Sequence, residues 1–392
     1  MLEVIVLIIA VPFATLSAFF AVEVLAGLRP LPSRRRTPER TSISAVVIIP
    51  AHDEEASIAA TIGALTKEAA GIADLLIVAD NCNDRTAEIA GAAGGRAIVR
   101  MDPALRGKGY ALAFARDELS KKPPTVVLVV DADCRIDRSG LVALIDTAAA
   151  QSSPVQAVNL LHPDLATTPF VQVSNFAFML RNLIRQRGLQ RLAGRVHLTG
   201  TGMAFPWDLF AQADLGGGNI VEDLNLGISL AAKGHPPLLV EGATVWSAAA
   251  SDGNTIKQRE RWEGGFLTNA LPAGLRGLWR SGVSLDRRSM VAAIDLCIPP
   301  LVVLGLLNGA ALLVLGLTAA LGGPIYPFIA VLSVSVLAGF AVILAWHVEG
   351  RAFASLSAIV SIPVYVVRKL PMYARLLARG APRDWVRTDR TD

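Results

Sequence analysis

Charge is scarce in this chain. Of its 392 residues only 18% are Asp, Glu, Lys or Arg, while 53% are hydrophobic and the mean hydropathy is +0.48. Disordered segments show the opposite balance, and an ordinary cytosolic protein of this size does not carry so many apolar residues, so neither class describes the whole chain. Cysteine is also scarce: Cys82 lies in a polar turn, Cys134 just past an acidic pair and Cys297 in an apolar run. No CxxC or Cys/His ligand spacing is present, which excludes a disulfide framework or a zinc module and leaves three reduced thiols. A GxGxxG turn is missing after the first β-branched run, removing a dinucleotide-binding reading; the cluster Gly91 to Gly95 ends a helical stretch, where capping explains it. Aromatic residues, 6% of the chain, do not alternate with basic ones in a stripe, so no nucleic-acid partner is expected.

What is present is apolar length flanked by arginine. The net charge of +4 comes from arginines beside apolar runs, a pattern that favours a membrane surface. Val4 to Leu28 is long enough for the ~20 residues of a spanning helix, and Arg29, Arg34, Arg35 and Arg36 follow it rather than precede it, which favours a retained anchor over a cleaved signal. Met290 to Leu321 and Ile325 to Trp346 form two more candidates around the turn Gly322-Gly323-Pro324. Arg276, Arg280, Arg287 and Arg288 stand before this hairpin and Arg351 after it, so the positive-inside rule puts both of its ends, and the bulk of the chain, on the cytoplasmic side. The amino terminus is then outside and the carboxyl terminus inside. Phe353 to Val367 is apolar but short and precedes a basic tail; an interfacial helix avoids exporting that tail. Pro169 to Leu192 mixes Phe170, Val173, Phe176 and Leu183 with Arg181, Arg185 and Arg187 at near-helical spacing, which fits a helix on the bilayer or one facing the core of the soluble domain.

Between Ser44 and about Gly274 short β-branched runs alternate with helical stretches. Ala45 to Pro50, Leu75 to Ala79, Arg96 to Arg100 and Val126 to Val130 read as buried strands, with helices expected over Ser57 to Ala70, Thr86 to Ala93 and Gly109 to Leu119. The result is an α/β domain with a mostly parallel sheet and helices on both faces. Ligands in such sheets sit beyond the carboxyl ends of the strands, and polar residues follow the first, second and fourth runs: Ala51-His52-Asp53-Glu54, Asp80-Asn81-Cys82-Asn83-Asp84 and Asp131-Ala132-Asp133.

Four patterns carry chemistry. Asp131 and Asp133 can turn two carboxylates toward one Mg2+ or Mn2+, although two acids at a strand end are also ordinary capping. Asp223, after Glu222, is either a general base or the N-cap of a helix over Leu224 to Ala232. Gln258, Arg261 and Trp262 fall on neighbouring positions of one helical face, where a guanidinium suits phosphate and an indole suits a sugar ring, or where a helix snorkels at an interface. Arg106-Gly107-Lys108-Gly109 opens a helix with a cationic, glycine-flexed loop.

In that order, across about residues 44 to 270, these patterns resemble the membrane-bound family 2 glycosyltransferases, which include cellulose, chitin and hyaluronan synthases, the nodulation chito-oligosaccharide synthase and ceramide glucosyltransferase. The resemblance implies a GT-A fold and a nucleotide-sugar donor, with Ala51, His52 and Glu54 in the donor-binding turn, Asp80 at the nucleobase, Lys108 at the phosphates, and Asp131 and Asp133 on the cation and diphosphate. It further implies Asp223 as the catalytic base and Gln258, Arg261 and Trp262 over the diphosphate and acceptor sugar. The turn Thr199-Gly200-Thr201-Gly202-Met203 falls where the family lines its acceptor site, so Gly200, Thr201 and Gly202 join Trp262 there. One turn departs from the family pattern: the usual DDGS is here Asp80-Asn81-Cys82-Asn83, with the acid retained.

The expectation is therefore an inverting transferase of a hexosyl or N-acetylhexosaminyl unit from a nucleotide-sugar, UDP-linked by preference, to a lipid-linked or growing saccharide acceptor at the inner membrane. Its parts would be a transmembrane helix (1–28), a basic linker (29–43), a cytoplasmic catalytic domain (44–274), a basic connector (275–289), a transmembrane hairpin (290–346) and an interfacial helix with a basic cytoplasmic tail (347–392). Three spans are few for a processive synthase that also translocates its product, and retention of every acid disfavours a non-catalytic scaffold. Membrane lipids are expected partners, and no oligomeric state is read.

Overall fold

A computed structural model describes residues 2–32, 43–216, 222–249 and 252–380. The chain divides into two compact units. One comprises Pro30–His162 and Arg195–Asn254; the other comprises Met1–Arg29, Pro163–Gly194 and Thr255–Ala381. Compactness thus cuts across the linear expectation: 163–194 and 255–274, read from sequence as parts of the catalytic domain, group with the apolar helices.

The first unit is built on an eight-stranded sheet in the order β3-β2-β1-β4-β7-β6-β8-β5. Its strands are β1 (Ala45–Ala51), β2 (Asp74–Asp80), β3 (Arg96–Arg100), β4 (Val126–Val129), β5 (Cys134–Arg135), β6 (Val155–Leu161), β7 (Met203–Pro206) and β8 (Leu238–Ser247). The four strands read from sequence are the parallel half, in register from Val46 opposite Asp74 and from Ala45 opposite Val126. The other half is mixed: β7 runs antiparallel between β4 and β6, β8 pairs parallel with β6, and β5 closes the edge antiparallel to β8.

Both faces of the parallel half are covered, and the period-2 alternation shows how. Val47, Ile49 and Ala51 of β1 enter the core with α2 (Ile58–Ala69) and α5 (Arg138–Gln151), while Ile48 enters the opposite core with α4 (Lys108–Leu119), Phe205 of β7 and Phe210 of α8 (Trp207–Ala211). Each such buried Val, Leu or Ile contributes about 1.5–3 kcal/mol, so a strand buried on both sides needs no polar face. α3 (Thr86–Ala92) and α9 (Glu222–Ala232) complete the elements that reach the site. Asp223 lies inside the first turn of α9 rather than at a cap, so the capping reading of that residue is replaced.

The second unit is helical. It holds α1 (Leu2–Gly27), α6 (Pro169–Met179), a π-helical stretch (Leu180–Arg185), α7 (Gln186–Ala193), most of α10 (Asp252–Ser284), α11 (Arg287–Cys297), α12 (Leu301–Ala320), α13 (Tyr326–Val348), α14 (Leu356–Val360) and α15 (Ile362–Arg379). Val6–Gly27 (22 residues), α12 (20) and α13 (23) are long and apolar enough to cross a membrane. Val6, Ala10, Leu315 and Val331 pack these three together, and Ser17 donates to Asn308 Oδ1 at 3.1 Å between α1 and α12.

Two expectations change here. The single run Met290 to Leu321 is two helices, because Pro299 and Pro300 cannot donate to a helical ladder and push Ile298 into an extended conformation (φ −76°, ψ 113°). The stretch Pro169 to Leu192 groups with the helical unit rather than with the core of the sheet unit. Its Phe170, Phe176 and Ile184 are buried, but so are Gln172, Ser174, Asn182 and Arg187. Arg185 pairs with Glu23 at 2.6 Å and with Asp295, and Arg187 with Glu349 at 2.8 Å. α1 crosses this stretch backbone against backbone: a Cβ on Gly27 would lie 1.9 Å from the Ile184 carbonyl oxygen, and one on Gly188 2.0 Å from that of Glu23.

Candidate active site

The carboxyl ends of β1, β2 and β4 lie side by side, and the polar turns that follow them are tied together. His52 Nδ1 donates to the Asp80 carbonyl at 2.7 Å, the Asn83 amide donates to Asp53 Oδ1 at 2.7 Å, and the Glu54 amide donates to Thr86 Oγ1 at 2.8 Å. Asp53 and Asn81 hold positive φ angles of 53° and 51°, a strain sustained by this lacing. Ala51 ends β1 and its carbonyl receives the Cys82 thiol at 3.5 Å. Glu54 turns its carboxylate to Ser57 Oγ at 2.6 Å, so it shapes the turn into α2.

Asp80 is buried. Its Oδ1 accepts from Arg100 Nη1 at 2.6 Å and from Asn81 Nδ2 at 3.2 Å, while Oδ2 is buried without a hydrogen-bond partner among the described residues. A buried acceptor left open is costly, and a ligand N–H would satisfy it. Arg100 is fixed in turn by the Leu105 carbonyl at 2.8 Å, by Asp102 at 3.3 Å and by the Tyr110 ring at 5.5 Å. Arg100, Asp102 and Tyr110 were not read from sequence; the one available signal was the arginine at the end of the third strand.

Lys108 is the centre of the second group. It begins α4 after Gly107, pairs with Asp131 and donates to the Gly200 carbonyl at 2.7 Å. Burial acts to lower its pKa, but Asp131, Glu222 and Asp223 around it outweigh burial and raise it. Glu222 accepts the Gly109 amide at 2.7 Å. Burial, opposed by Lys108 and assisted by Asp223 and Asp131, pushes its carboxyl up to about 8, so at neutral pH it holds a proton. Glu222 is a residue that sequence reasoning passed over in favour of its neighbour.

Beneath these acids runs the turn Thr199 to Met203. Gly200 has φ +88°, and a Cβ there would sit 3.3 Å from Asp223 Oδ2, so the glycine makes room for that carboxylate. Thr201 Oγ1 accepts the Asp131 amide at 3.1 Å, and the Gly202 amide donates to the Val129 carbonyl at 2.9 Å. The structure therefore brings Lys108, Asp131, Asp223, Gly200, Thr201 and Gly202 together, with Asp80 and His52 on the adjoining strand ends.

Among the described residues two groups of side chains could hold a metal ion: Asp131, Asp133 and Cys134, and His52, Asp53 and Cys82, each with its ligand atoms within 4.8 Å of one another. The paired carboxylates of the first suit a hard divalent cation. In the second, burial raises the Cys82 thiol and disfavours the thiolate a metal needs. Gln258, Arg261 and Trp262 lie in the helical unit, on α10. There Gln258 is buried with Nε2 lacking a partner among the described residues, and Trp262 stacks on Phe178 at 5.1 Å.

Residues 44–265 match the profile described as glycosyltransferase like family 2. Among solved structures, the chain is similar to a mannosyltransferase from Pyrobaculum calidifontis in complex with GDP-Man and Mn2+. That pair shares 15% identity, covers 88% of this chain and 97% of that one, and has a TM-score of 0.56. It is also similar to glucosyl-3-phosphoglycerate synthase from Mycobacterium tuberculosis in complex with Mn2+, UDP and phosphoglyceric acid, at 17% identity over 61% of this chain and 86% of that one. Its TM-score is 0.40. Comparison by sequence with curated proteins gave no match. The mannosyltransferase likeness is one of fold, and it agrees with a GT-A-type mixed sheet flanked by helices. Since the profile match takes in more than half of the 392 residues and the sheet agrees with it, the chain belongs to the glycosyltransferase-like family 2.

Proposed function

We propose that the protein is a membrane-bound inverting glycosyltransferase that moves a hexosyl or N-acetylhexosaminyl unit from a nucleotide-sugar to a hydroxyl of a lipid-linked or growing saccharide acceptor, at the cytoplasmic face of the inner membrane. The observation that carries this reading is the gathering of Asp131, Glu222 and Asp223 around one half-buried lysine, beside a turn whose glycine leaves space at Asp223.

In this reading Asp80 Oδ2 accepts an N–H of the nucleobase, with Ala51, His52 and Glu54 forming the turn over it. Asp131 and Asp133 would hold Mg2+ or Mn2+, which when bound neutralises diphosphate charge. The donor set fits because both residues offer oxygen and Asp131 keeps one oxygen beyond the Lys108 pair. Lys108 faces the phosphates, and Gln258, Arg261 and Trp262 cover the diphosphate and the acceptor sugar. Asp223 takes the proton of the acceptor hydroxyl as its oxygen attacks the anomeric carbon and the bond to the nucleoside diphosphate breaks, the leaving diphosphate's charge being met by Lys108, while Glu222, protonated, adds no second charge beside Asp223. Single displacement inverts the anomeric carbon. Gly200, Thr201 and Gly202 line the acceptor side.

Residues 44–274 make up the catalytic part, 1–28 and 290–346 the membrane part with its crossing helices at Val6–Gly27, α12 and α13, and 347–392 an interfacial helix and basic tail. A processive synthase with translocation is the second reading, and three candidate spans speak for single addition. Incubation of membranes with radiolabelled UDP-sugars and GDP-mannose, followed by sizing of the product, tests both: one donor labels a short lipid-extractable product if the proposal holds. A long polymer selects the processive reading, and no label from any donor refutes transfer.

A further inference from the structure

The helix that carries Gln258, Arg261 and Trp262 also carries a buried ion pair that the proposed reaction does not use. Glu263 follows Trp262 directly. Its Oε1 accepts from Lys369 Nζ at 2.5 Å and its Oε2 from the Tyr373 hydroxyl at 2.6 Å, both donors on α15 more than a hundred residues later. Lys369 is 2% exposed, Glu263 8% and Tyr373 9%. The lysine cation also sits 5.3 Å from the ring centroids of both Tyr365 and Tyr373. Two further contacts repeat the pattern: Arg375 forks onto Glu260 at 2.7 and 3.2 Å, and Arg259 donates to Ser174 Oγ at 2.7 Å and to its carbonyl at 2.6 Å.

The placement of these anchors around α10 is ordered. With about 100° per residue, and Gln258 at zero, Trp262 falls near 40° and Arg261 near −60°, while Arg259, Glu263 and Glu260 fall near 100°, 140° and 200°. Anchored residues and the three site candidates thus occupy complementary arcs of one helical turn. Apolar packing alone would serve stability as well or better, since a buried ion pair is often replaceable by hydrophobic residues without loss. What a pair with two saturated carboxylate oxygens supplies is register: a turn of α10 by one position would strand Glu263 away from both donors.

We propose that Glu263 is a positioning residue which, held by Lys369 and Tyr373, fixes the rotation of α10 and so presents Gln258, Arg261 and Trp262 as one face. The proposal rests on the reading of those three as nucleotide and acceptor contacts, and it gives the carboxyl-terminal helix α15 a role in the transfer reaction without touching substrate.

The test uses the full chain in lipid nanodiscs, with Mn2+ plus UDP as probe. The paired variant Glu263→Gln/Lys369→Met removes both charges together, so no unpaired charge is left buried and the thermal midpoint should stay near that of the parent. Amide exchange over Gln258 to Phe266 should nevertheless quicken by about tenfold, and Mn·UDP affinity should fall by about tenfold, the scale of a coupling in a hydrogen-bonded network. Combined with Arg261→Ala, the paired variant should add little, because the loosened helix acts through that side chain. Tyr373→Phe, a milder change, should shift the same readouts in the same direction and decides the matter if the paired variant does not fold. A folded variant with unchanged exchange, or one whose loss adds fully to that of Arg261→Ala, overturns the proposal. If Arg261→Ala alone leaves Mn·UDP affinity intact while exchange quickens in the paired variant, the nucleotide role of Arg261 fails and the clamp stands.

Discussion

Asp223 and Glu222 are sequence neighbours, both half-buried, with different partners. Asp223 lies against a glycine in the left-handed region, where no Cβ crowds it, while Glu222 accepts the Gly109 amide. Asp223→Asn preserves shape and removes proton affinity, so turnover should fall by ~10² to 10⁴ with Mn·UDP affinity within a few-fold of the parent; turnover within threefold would take the residue out of the base role. Glu222 sets a pH dependence of stability. In the folded chain its carboxyl keeps its proton to about pH 8, whereas in the unfolded chain it loses it near 4.5. Between these values the unfolded state binds fewer protons, so this contribution is complete below 4.5 and is lost as pH rises to 8. Urea midpoints of chelator-treated protein should decline over that window, and Glu222→Gln should flatten the decline. An unchanged slope would place the proton elsewhere. Of this pair sequence reasoning found only Asp223: pattern identifies a carboxylate, but the shift of Glu222 comes first from desolvation in the folded chain, opposed by Lys108 and assisted by Asp223 and Asp131, and Lys108 and Asp131 are far away in the chain.

Elements show the same division. The parallel strands were legible because their burial on both faces writes a continuous apolar run, and their ends could be placed within a residue of Ala51, Asp80 and Val129. The run Met290 to Leu321 was misread as one helix because hydropathy counts Pro299 and Pro300 as nearly neutral, whereas their missing amides decide the backbone. Packing of α1 on the π-helical stretch and α7 was not legible at all, since it turns on Gly27 and Gly188 meeting carbonyls of the other helix. Gly188→Ala should therefore cost at least ~1–3 kcal/mol in thermal unfolding of the detergent-solubilised protein, the range for forced overpacking. Gly91→Ala, on α3 with open space around it, should be neutral or slightly stabilising. Equal midpoints for the two variants would mean that the α1 crossing is looser than its geometry.

The proposed topology rests on three apolar helices and the distribution of arginine. α12 and α13 are joined by the short turn Leu321 to Ile325, so in that proposal their far ends lie on one side of a bilayer, and α15 follows without a fourth candidate span among the described residues. A cysteine at Leu321, which is 88% exposed, on a background lacking native thiols should react with an impermeant maleimide in intact cells. Cysteines at Lys121 and Arg379 should react only after permeabilisation. Reaction at Arg379 in intact cells would show that α15 crosses the membrane.

Family, sheet class and the three apolar helices could be read from the chain because each is written locally, in the period of its side chains, in acids that follow strands and in uninterrupted apolar length. The mixed half of the sheet could not, because β5 to β8 pair across separations that no local pattern encodes. Nor could the assignment of 163–194 and 255–274 to the helical unit, where the buried Arg187 and Glu263 and the half-buried Arg185 meet partners 106 to 162 residues distant. A charged side chain in a sequence looks like surface. It is tolerated inside only when folding delivers its counter-charge, and that delivery is a property of the assembled chain.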